Sequence, residues 1–428
     1  MKLIFYCAIL KGIYGSLECV SAAHVLVVYS LTSFFLRNTF RWVNFALFCT
    51  SITIKHLHFN FGVFKTSAHI MPNLPGIEEI AGDFGGDFFN PLLICDTNTE
   101  YLAEKIRGNA KIPICTLEAG ESHKNWHAVE TILRGARDAG LGRDGSFIGV
   151  GGGVIGDLSA FAASIYMRGC SLALVSTTLL GMVDASLGGK TGFDLFGVKN
   201  LAGTFFPACH VYMPLESLTS LPLPEWKSGM AELIKTAILD SDDFLDDLAS
   251  LTAAFPHGSF SDGFPPDFAS RTLAAGTDLS RCVSRAVRFK GAIVEEDPLE
   301  TGTRRVLLNL GHTFGHALEA AAGLGTISHG EAVAWGIARS CDLALTLGAC
   351  PPRRTERIRA LLAAYGYETA VPHPLMNSGA SGAFLQALGS DKKKRGGNLS
   401  FIVPGEKSAH AVSDLNMDTI SQIIGIEN

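Results

Sequence analysis

Several familiar signatures are missing from this 428-residue chain. None of its ten cysteines sits in a C-x-x-C pair, and their spacing from Cys7 to Cys350 fits neither a zinc site nor a disulfide framework. In a chain this large they read as buried, reduced thiols of a cytosolic protein. The H-E-x-x-H pattern is absent, which excludes a zincin-type protease. Charged residues make up only 18%, and the net charge is −6, so a broad basic surface for nucleic acid is excluded. Of three apolar stretches near the start, the middle one, Ala22–Leu36, is about 15 residues, short of the roughly 20 that span a bilayer. No Gly-X-Y period accounts for the 46 glycines, so they serve turns, helix packing or ligand loops.

What is present divides in two. Residues 1–56 carry five basic side chains (Lys2, Lys11, Arg37, Arg41, Lys55) against Glu18, a net +4 that leaves −10 for the remainder. Lys2, Leu3–Leu10 and the small residues around Ser21-Ala22-Ala23 imitate a secretory signal weakly. This apolar, basic extension is expected to lie outside the fold. With 47% hydrophobic residues, the rest has ample material for two cores, expected over 57–214 and 215–428.

From His58 onward the pattern alternates between short apolar runs and helical periodicity. His58–Phe64, Pro91–Cys95, Ile112–Leu117, Ser146–Val150 and Leu172–Val175 read as strands. Glu100–Arg107, Trp126–Ala139 and Leu158–Arg168 read as helices between them. That order predicts βαβ units and a parallel sheet. The strand at Ser146–Val150 runs into Gly151-Gly152-Gly153-Val154-Ile155-Gly156-Asp157, a G-x-G-x-x-G between strand and helix. Such a turn lets backbone N–H groups approach a pyrophosphate at a helix start. The acidic residue expected roughly 20 positions later is missing, so Asp96, at the end of an earlier strand, is the candidate ribose partner. Gly188-Gly189-Lys190-Thr191 lacks the first glycine of a P-loop, because position 184 is Asp. With Lys199 and Asn200 it still suits a small phosphorylated anion.

After Pro214 the strand signals fade. Leu215–Leu221, Glu225–Leu239, 244–254, 268–294 and Leu307–Ala322 read as helices, and Phe255–Pro266 as a loop. Glu232 and Lys235 share one helical face, as do His312 and His316. Ser328-His329-Gly330-Glu331 opens a further helix. Two histidines and a carboxylate with one position left open form a catalytic zinc pattern. Near the end, Asp391-Lys392-Lys393-Lys394-Arg395 reads as a solvated loop or a phosphate clamp before the strand Leu399–Val403.

Together these blocks resemble the 3-dehydroquinate synthases of the sugar-phosphate cyclase superfamily, from roughly Phe59 to Ile424. The blocks are Gly151–Asp157, Met182–Thr191 with Lys199-Asn200, Gly229–Lys235, Asn309–His316 and His329-Gly330-Glu331. The resemblance implies a Rossmann-like NAD-binding α/β domain followed by a mainly helical metal and substrate domain. It implies Glu232, His312 and His329 as ligands of zinc, with cobalt as a substitute. It implies Asp96, Glu121, Lys124, Gly152, Gly153, Asp157, Thr177 and Thr178 around NAD, together with Asp184, Lys190 and Lys199. It implies Lys190, Lys235, Lys290, Arg305, Asn309 and His316 as catalytic, with Asp184, Lys199, Asn200 and Lys392 lining the pocket. Arg168 would reach the neighbouring active site of a cytoplasmic homodimer. The implied reaction converts 3-deoxy-D-arabino-heptulosonate 7-phosphate to 3-dehydroquinate and phosphate by transient oxidation, elimination, reduction and aldol closure.

Two departures stand out. Glu300–Arg305 holds one residue more than the family spacing and ends in two arginines, and the gap from His312 to His329 is slightly long. The nearest rival is another cyclase of the superfamily, making an inosose or valiolone from a neutral sugar phosphate, which needs no carboxylate anchor. An iron- or zinc-dependent alcohol dehydrogenase shares the two-domain plan but lacks the phosphate-directed lysines. A non-catalytic, membrane-anchored binding module would use the extension instead, and the metal triad and pocket charges speak against it.

Overall fold

The sheet is built first, and the helices that carry the second half follow it. The computed structural model describes residues 55–425 except 88, 254, 256–259, 261–263, 266, 275–277, 324, 377–379, 395–398 and 414. The expected extension, apart from Lys55 and His56, lies outside the described residues, and the sheet and helices form one compact unit, Ile52–Asn428.

Strands β1 (Lys55–Phe61) and β2 (Phe64–Met71) form an antiparallel hairpin that turns at Gly62, whose φ of 66° suits glycine. The alternation over His58–Phe64 thus belongs to two strands, and the first begins two residues before Leu57. Next come α1 (Ile77–Phe84), β3 (Phe89–Asp96), α2 (Glu100–Arg107), β4 (Ile114–Leu117) and α3 (Trp126–Asp138). Helix α3 starts where Asn125 accepts hydrogen bonds from the backbone N–H groups of His127 and Ala128, a side-chain cap. Then follow β5 (Gly145–Gly151), α4 (Gly153–Ile165), β6 (Ser171–Ser176), the hairpin β7 (Lys190–Leu195) and β8 (Val198–Phe205), and β9 (His210–Pro214).

The seven-stranded sheet has the order β1-β2-β9-β6-β5-β3-β4, and every neighbouring pair except β1/β2 is parallel. All residues of β5 are buried, as a central strand covered on both faces requires. Leu93, Ile148, Val175 and Tyr212 pack beneath Ile80, Leu102 and Ile106 of α1 and α2.

The second half contains α5 (Leu223–Asp240), α6 (Asp242–Ala253), α7 (Phe268–Ala274), α8 (Asp278–Glu296), α9 (His312–Ala322), α10 (His329–Thr346), α11 (Pro352–Ala364) and α12 (Ala380–Lys394). A small hairpin, β10 (Ser400–Pro404) and β11 (Ala409–Ser413), and α13 (Met417–Ile424) complete it. Phe314, Leu318, Trp335, Phe384 and Phe401 form its core.

Several segments differ from the sequence reading, among them the helix expected over Leu158–Arg168, which runs Gly153–Ile165, and α1 and the β7–β8 hairpin, for which that reading has no element. The helix expected over 268–294 is divided into α7 and α8. The helix expected from Leu307 starts only at His312; Arg305–Asn309 is a 3-10 turn, and Gly311 at φ 80° lies where a Cβ would meet Val333 O at 2.7 Å. In the Phe255–Pro266 loop, Phe255, Phe260 and Phe264 are buried against Trp226 and Phe268. Residues 391–394 are helical, as the end of α12.

Candidate active site

Three elements converge on Glu232. It sits in α5 with 1% of its surface exposed, facing the first residues of α9 and α10. Its Oε1 lies 3.7 Å from His312 Nε2 and 3.6 Å from His329 Nε2. One donor atom from each of Glu232, His312 and His329 lies within 4.8 Å of the others. Burying a carboxylate this deeply is costly unless charge meets it. Lys235 Nζ lies against Oε2, yet neither carboxylate oxygen accepts a well-formed hydrogen bond. A divalent ion fits that buried, under-satisfied N/N/O donor set.

The protonation states divide the two histidines: His312 is ready to coordinate, whereas His329 must release a proton to an incoming ion. Burial and the Lys235 charge hold His312 down to about 3, so its ring offers lone pairs at neutral pH. His329 is raised to about 9, because Glu232 and Glu319 outweigh the downward pull of its burial. Against its own burial, Glu232 is held well below the usual carboxylate range by Lys235 and the two histidines.

The α9–α10 seam sets the spacing of the histidines. A Cβ on Gly336 would fall 2.0 Å from Gly311 O, and one on Gly315 would fall 2.9 Å from Ala332 O. The start of α10 is fixed by a capping box, with Ser328 Oγ accepting from the Glu331 N–H and the Glu331 carboxylate turned back to Ser328. That carboxylate also takes Lys227 Nζ at 2.8 Å.

A row of charges continues from Glu232. Lys235 Nζ is 3.9 Å from Asp184 Oδ1, and the same oxygen accepts Lys290 Nζ at 2.5 Å. Lys290 also donates to the Asp184 carbonyl at 2.7 Å. Lys235, although buried, is kept charged by Asp184 and Glu232, whereas burial lowers the Lys290 pKa.

Glu319 stands with Asn309, His312 and His316 in the segment Leu307–Ala322, but the resemblance gives it no role. Its Oε2 faces His329 Nδ1 at 3.6 Å, and its Oε1 faces Lys199 Nζ at 3.6 Å. The His329 contact outweighs burial and brings Glu319 down to about 2. The signal was available: positions 312, 316 and 319 share one helical face.

The glycine motif opens a second cleft. It is lined by Gly149, Gly151–Gly153, Ser176 and Gly181. Gly152 precedes the first turn of α4, and a Cβ there would meet Thr178 Cγ2 at 2.9 Å. Ser176 Oγ is buried in the cleft with no hydrogen-bond partner. A glycine cradle at a helix start fits a pyrophosphate. Thr177 N donates to Gly151 O at 3.0 Å, and Thr178 Oγ1 accepts from the Gly181 N–H at 3.0 Å. Buried Lys124 bridges Asp157 Oδ2 at 2.5 Å and Asn200 Oδ1 at 2.6 Å. Asp96 Oδ1 accepts from Asn98 N and Thr99 N, closing the turn after β3. Glu121 opens an exposed 3-10 turn.

The remaining candidates spread over the rim. Lys190 pairs with Glu300. Arg305 turns inward, its Nη1 donating to the carbonyls of Asp297 and Pro298 and its Nη2 to that of Gly188, while Arg304 points outward to Glu296. Arg305 therefore ties the loop before α9 to the Gly188 turn. Asn309 is half-buried in the 3-10 turn. The His316 ring is 5.3 Å from that of His312 and 5.9 Å from that of His329. Arg168 is exposed with φ 71°. Lys392 lies in α12, and its side chain lies outside the described residues.

The family description "3-dehydroquinate synthase N-terminal" matches residues 114–228, and "3-dehydroquinate synthase C-terminal" matches 229–394. A 3-dehydroquinate synthase of Xylella fastidiosa (strain 9a5c) is 37% identical over 326 residues, covering 75% of this chain and 77% of the relative. The chain belongs to the 3-dehydroquinate synthase family. A second member, from Methylacidiphilum infernorum (isolate V4), is 38% identical over 67% of this chain and 72% of its own. Two solved structures share the fold. The 2-epi-5-epi-valiolone synthase ValA of Streptomyces hygroscopicus subsp. jinggangensis 5008, with NAD+ and Zn2+ bound, has a TM-score of 0.71 at 23% identity, covering 87% of this chain and 97% of its own. A 2-deoxy-scyllo-inosose synthase complexed with carbaglucose-6-phosphate, NAD+ and Co2+ has a TM-score of 0.68 at 23% identity, covering 87% and 99%. The expected class, an α/β sheet domain plus a helical domain, is the fold these proteins share.

Proposed function

We propose that this member of the family is a lyase that converts 3-deoxy-D-arabino-heptulosonate 7-phosphate into 3-dehydroquinate and phosphate, in the shikimate route to aromatic amino acids. The observation that carries the reading is the Glu232–His312–His329 cluster joined to the Lys235–Asp184–Lys290 row. Glu232, His312 and His329 would hold a zinc or cobalt ion, and Gly152, Gly153 and the start of α4 would hold the pyrophosphate of NAD. When bound, NAD supplies a hydride acceptor and donor, and the ion lowers the pKa of a bound hydroxyl.

The chain's own residues do the rest. Lys290, whose pKa falls through burial, sits against Asp184 and is the group suited to take a proton and give it back. Lys235 stays cationic beside the cluster and compensates Glu232. Lys190, Lys199, Asn200, His316, Asn309 and Lys392 meet the substrate's two anionic ends. Arg305 serves with the donors its three carbonyl contacts leave over. Asp96, Glu121, Lys124, Asp157, Thr177 and Thr178 surround the nucleotide, with Lys124 neutralising Asp157 until ligand arrives. The chain works in the cytoplasm as a homodimer in which Arg168, exposed at the end of α4, enters the neighbouring site.

The test is phosphate release from the heptulosonate phosphate with catalytic NAD. One phosphate per substrate and no net NADH is the expected result. Stoichiometric NADH would sink the reading, and turnover of glucose 6-phosphate instead would assign the inosose-type cyclase reaction.

A further inference from the structure

A second histidine cluster stands at the β1 edge of the sheet. His56 on β1 and His69 on β2 are cross-strand partners, with Nδ1 atoms 2.9 Å apart. His69 Nε2 lies 3.1 Å from His210 Nδ1 on β9. Asp83, near the end of α1, places Oδ2 3.8 Å from His69 Nδ1. One donor atom from each of His69, Asp83 and His210 lies within 4.8 Å of the others. None of these residues takes part in the site described above.

We propose that His69, His210 and Asp83, with His56 at hand as a fourth ligand, form a second binding site for a divalent transition metal of the zinc or cobalt kind.

Three observations carry it. The spacing is close to what an ion needs: zinc–nitrogen bonds of about 2.0–2.1 Å put tetrahedral ligand atoms roughly 3.3 Å apart, and around His69 Nδ1 the His56 nitrogen and the Asp83 oxygen stand at 2.9 and 3.8 Å, while His210, which faces His69 Nε2, keeps a donor atom within 4.8 Å of one each from His69 and Asp83. The ligand chemistry fits as well: imidazole nitrogen with a carboxylate oxygen suits zinc and its neighbours rather than calcium or magnesium. Finally, the ligands are supported from behind. Tyr212 donates its hydroxyl to Asp83 Oδ2 at 2.8 Å and stacks on His69 at 4.6 Å, and Phe84 packs on His210 at 4.7 Å. Burial lowers His69 to about 4, with Asp83 opposing it, and burial also lowers His210, so both rings are neutral and their nitrogens carry lone pairs. Three strands and a helix meet at this point, so the ion would pin β1, β2 and β9 to α1.

The experiment counts metal on the full chain. Metal-stripped protein is saturated with Zn2+ or Co2+, separated from free ion by gel filtration, and measured by elemental mass spectrometry. The expected result is two ions per chain, with His312→Ala reducing the count to one through the Glu232 cluster. His210→Asn and Asp83→Asn should each also reduce it to one, while phosphate release persists and the Co2+ absorption of the remaining site is unchanged. One ion in the unaltered chain, or two ions retained by both His210→Asn and Asp83→Asn, would overturn the assignment. If His210→Asn fails to fold by circular dichroism, the near-isosteric Asp83→Asn decides alone.

Discussion

Glu319 holds His329 from behind, its Oε2 3.6 Å from Nδ1, while Nε2 of the same ring faces Glu232 at 3.6 Å. Carboxylates placed this way orient a metal-binding imidazole, and removing one typically weakens metal binding by roughly 10–100-fold. Glu319→Gln is expected to weaken zinc within that range while leaving the unfolding midpoint nearly unchanged. Competition with a chromophoric chelator reads it. Unaltered affinity would mean that Glu319 serves only Lys199.

Gly152 and Thr178 form a steric pair that permits a rescue. A Cβ at 152 would meet Thr178 Cγ2 at 2.9 Å. Gly152→Ala should weaken NAD at least tenfold, read by calorimetric titration. Thr178→Ser removes that methyl and keeps the hydroxyl that accepts the Gly181 N–H. The double variant should recover part of the loss; if it recovers none, the clash with Thr178 is not the cause.

Lys290 and Asp184 form a pair whose disruption leaves a poorly compensated carboxylate. Breaking a buried pair by removing one partner costs on the order of 3–5 kcal/mol, and less here because Asp184 is partly exposed. Lys290→Met should lower the unfolding midpoint, and Lys290→Met with Asp184→Leu should regain most of it. Turnover should stay at least 100-fold down in both. Recovery of turnover in the double variant would remove Lys290 from the chemistry.

Thiol reactivity follows burial with a definite sign. Burial pushes Cys95 and Cys115 up to about 11 and Cys341 up to about 12, while Cys209 is exposed. The thiolate is the nucleophile, so near pH 8 the first three react slowly and gain about tenfold per unit as pH rises. Iodoacetamide labelling of the folded protein, read by peptide mass spectrometry, should mark Cys209 long before these three. Early labelling of Cys341 would contradict its burial.

Two helices of the α/β half are legible because local signals agree with the tertiary fold, whereas α1 has no counterpart in the sequence reading and α4 starts at Gly153, five residues before Leu158. Glu100–Arg107 spans the predicted residues, and α3 (Trp126–Asp138) ends one residue short of the predicted Trp126–Ala139. Strand, glycine turn and helix followed in order at Gly151–Gly156 because that turn needs residues without Cβ. Glu232, His312 and His329 come together from positions up to 97 residues apart. No periodicity predicts that meeting, and it was the resemblance that named the three.

What stayed hidden depends on contacts distant in sequence. The break before His312 is imposed by α10, through Val333 O facing Gly311. Which of the two adjacent arginines turns inward is decided by carbonyls at 188, 297 and 298. The His56–His69–His210 cluster left no motif, because its members lie on three strands that become neighbours only when the sheet forms.

The glycine seam has one more consequence. Where Gly336 meets Gly311, the two helices touch main chain to main chain. The span between His312 and His329 is therefore gauged by peptide bonds, whose dimensions do not vary with sequence. Around this seam the core side chains can drift over evolutionary time, changing how firmly the helices hold without changing how far apart the two imidazoles stand. The ruler of the site is its backbone.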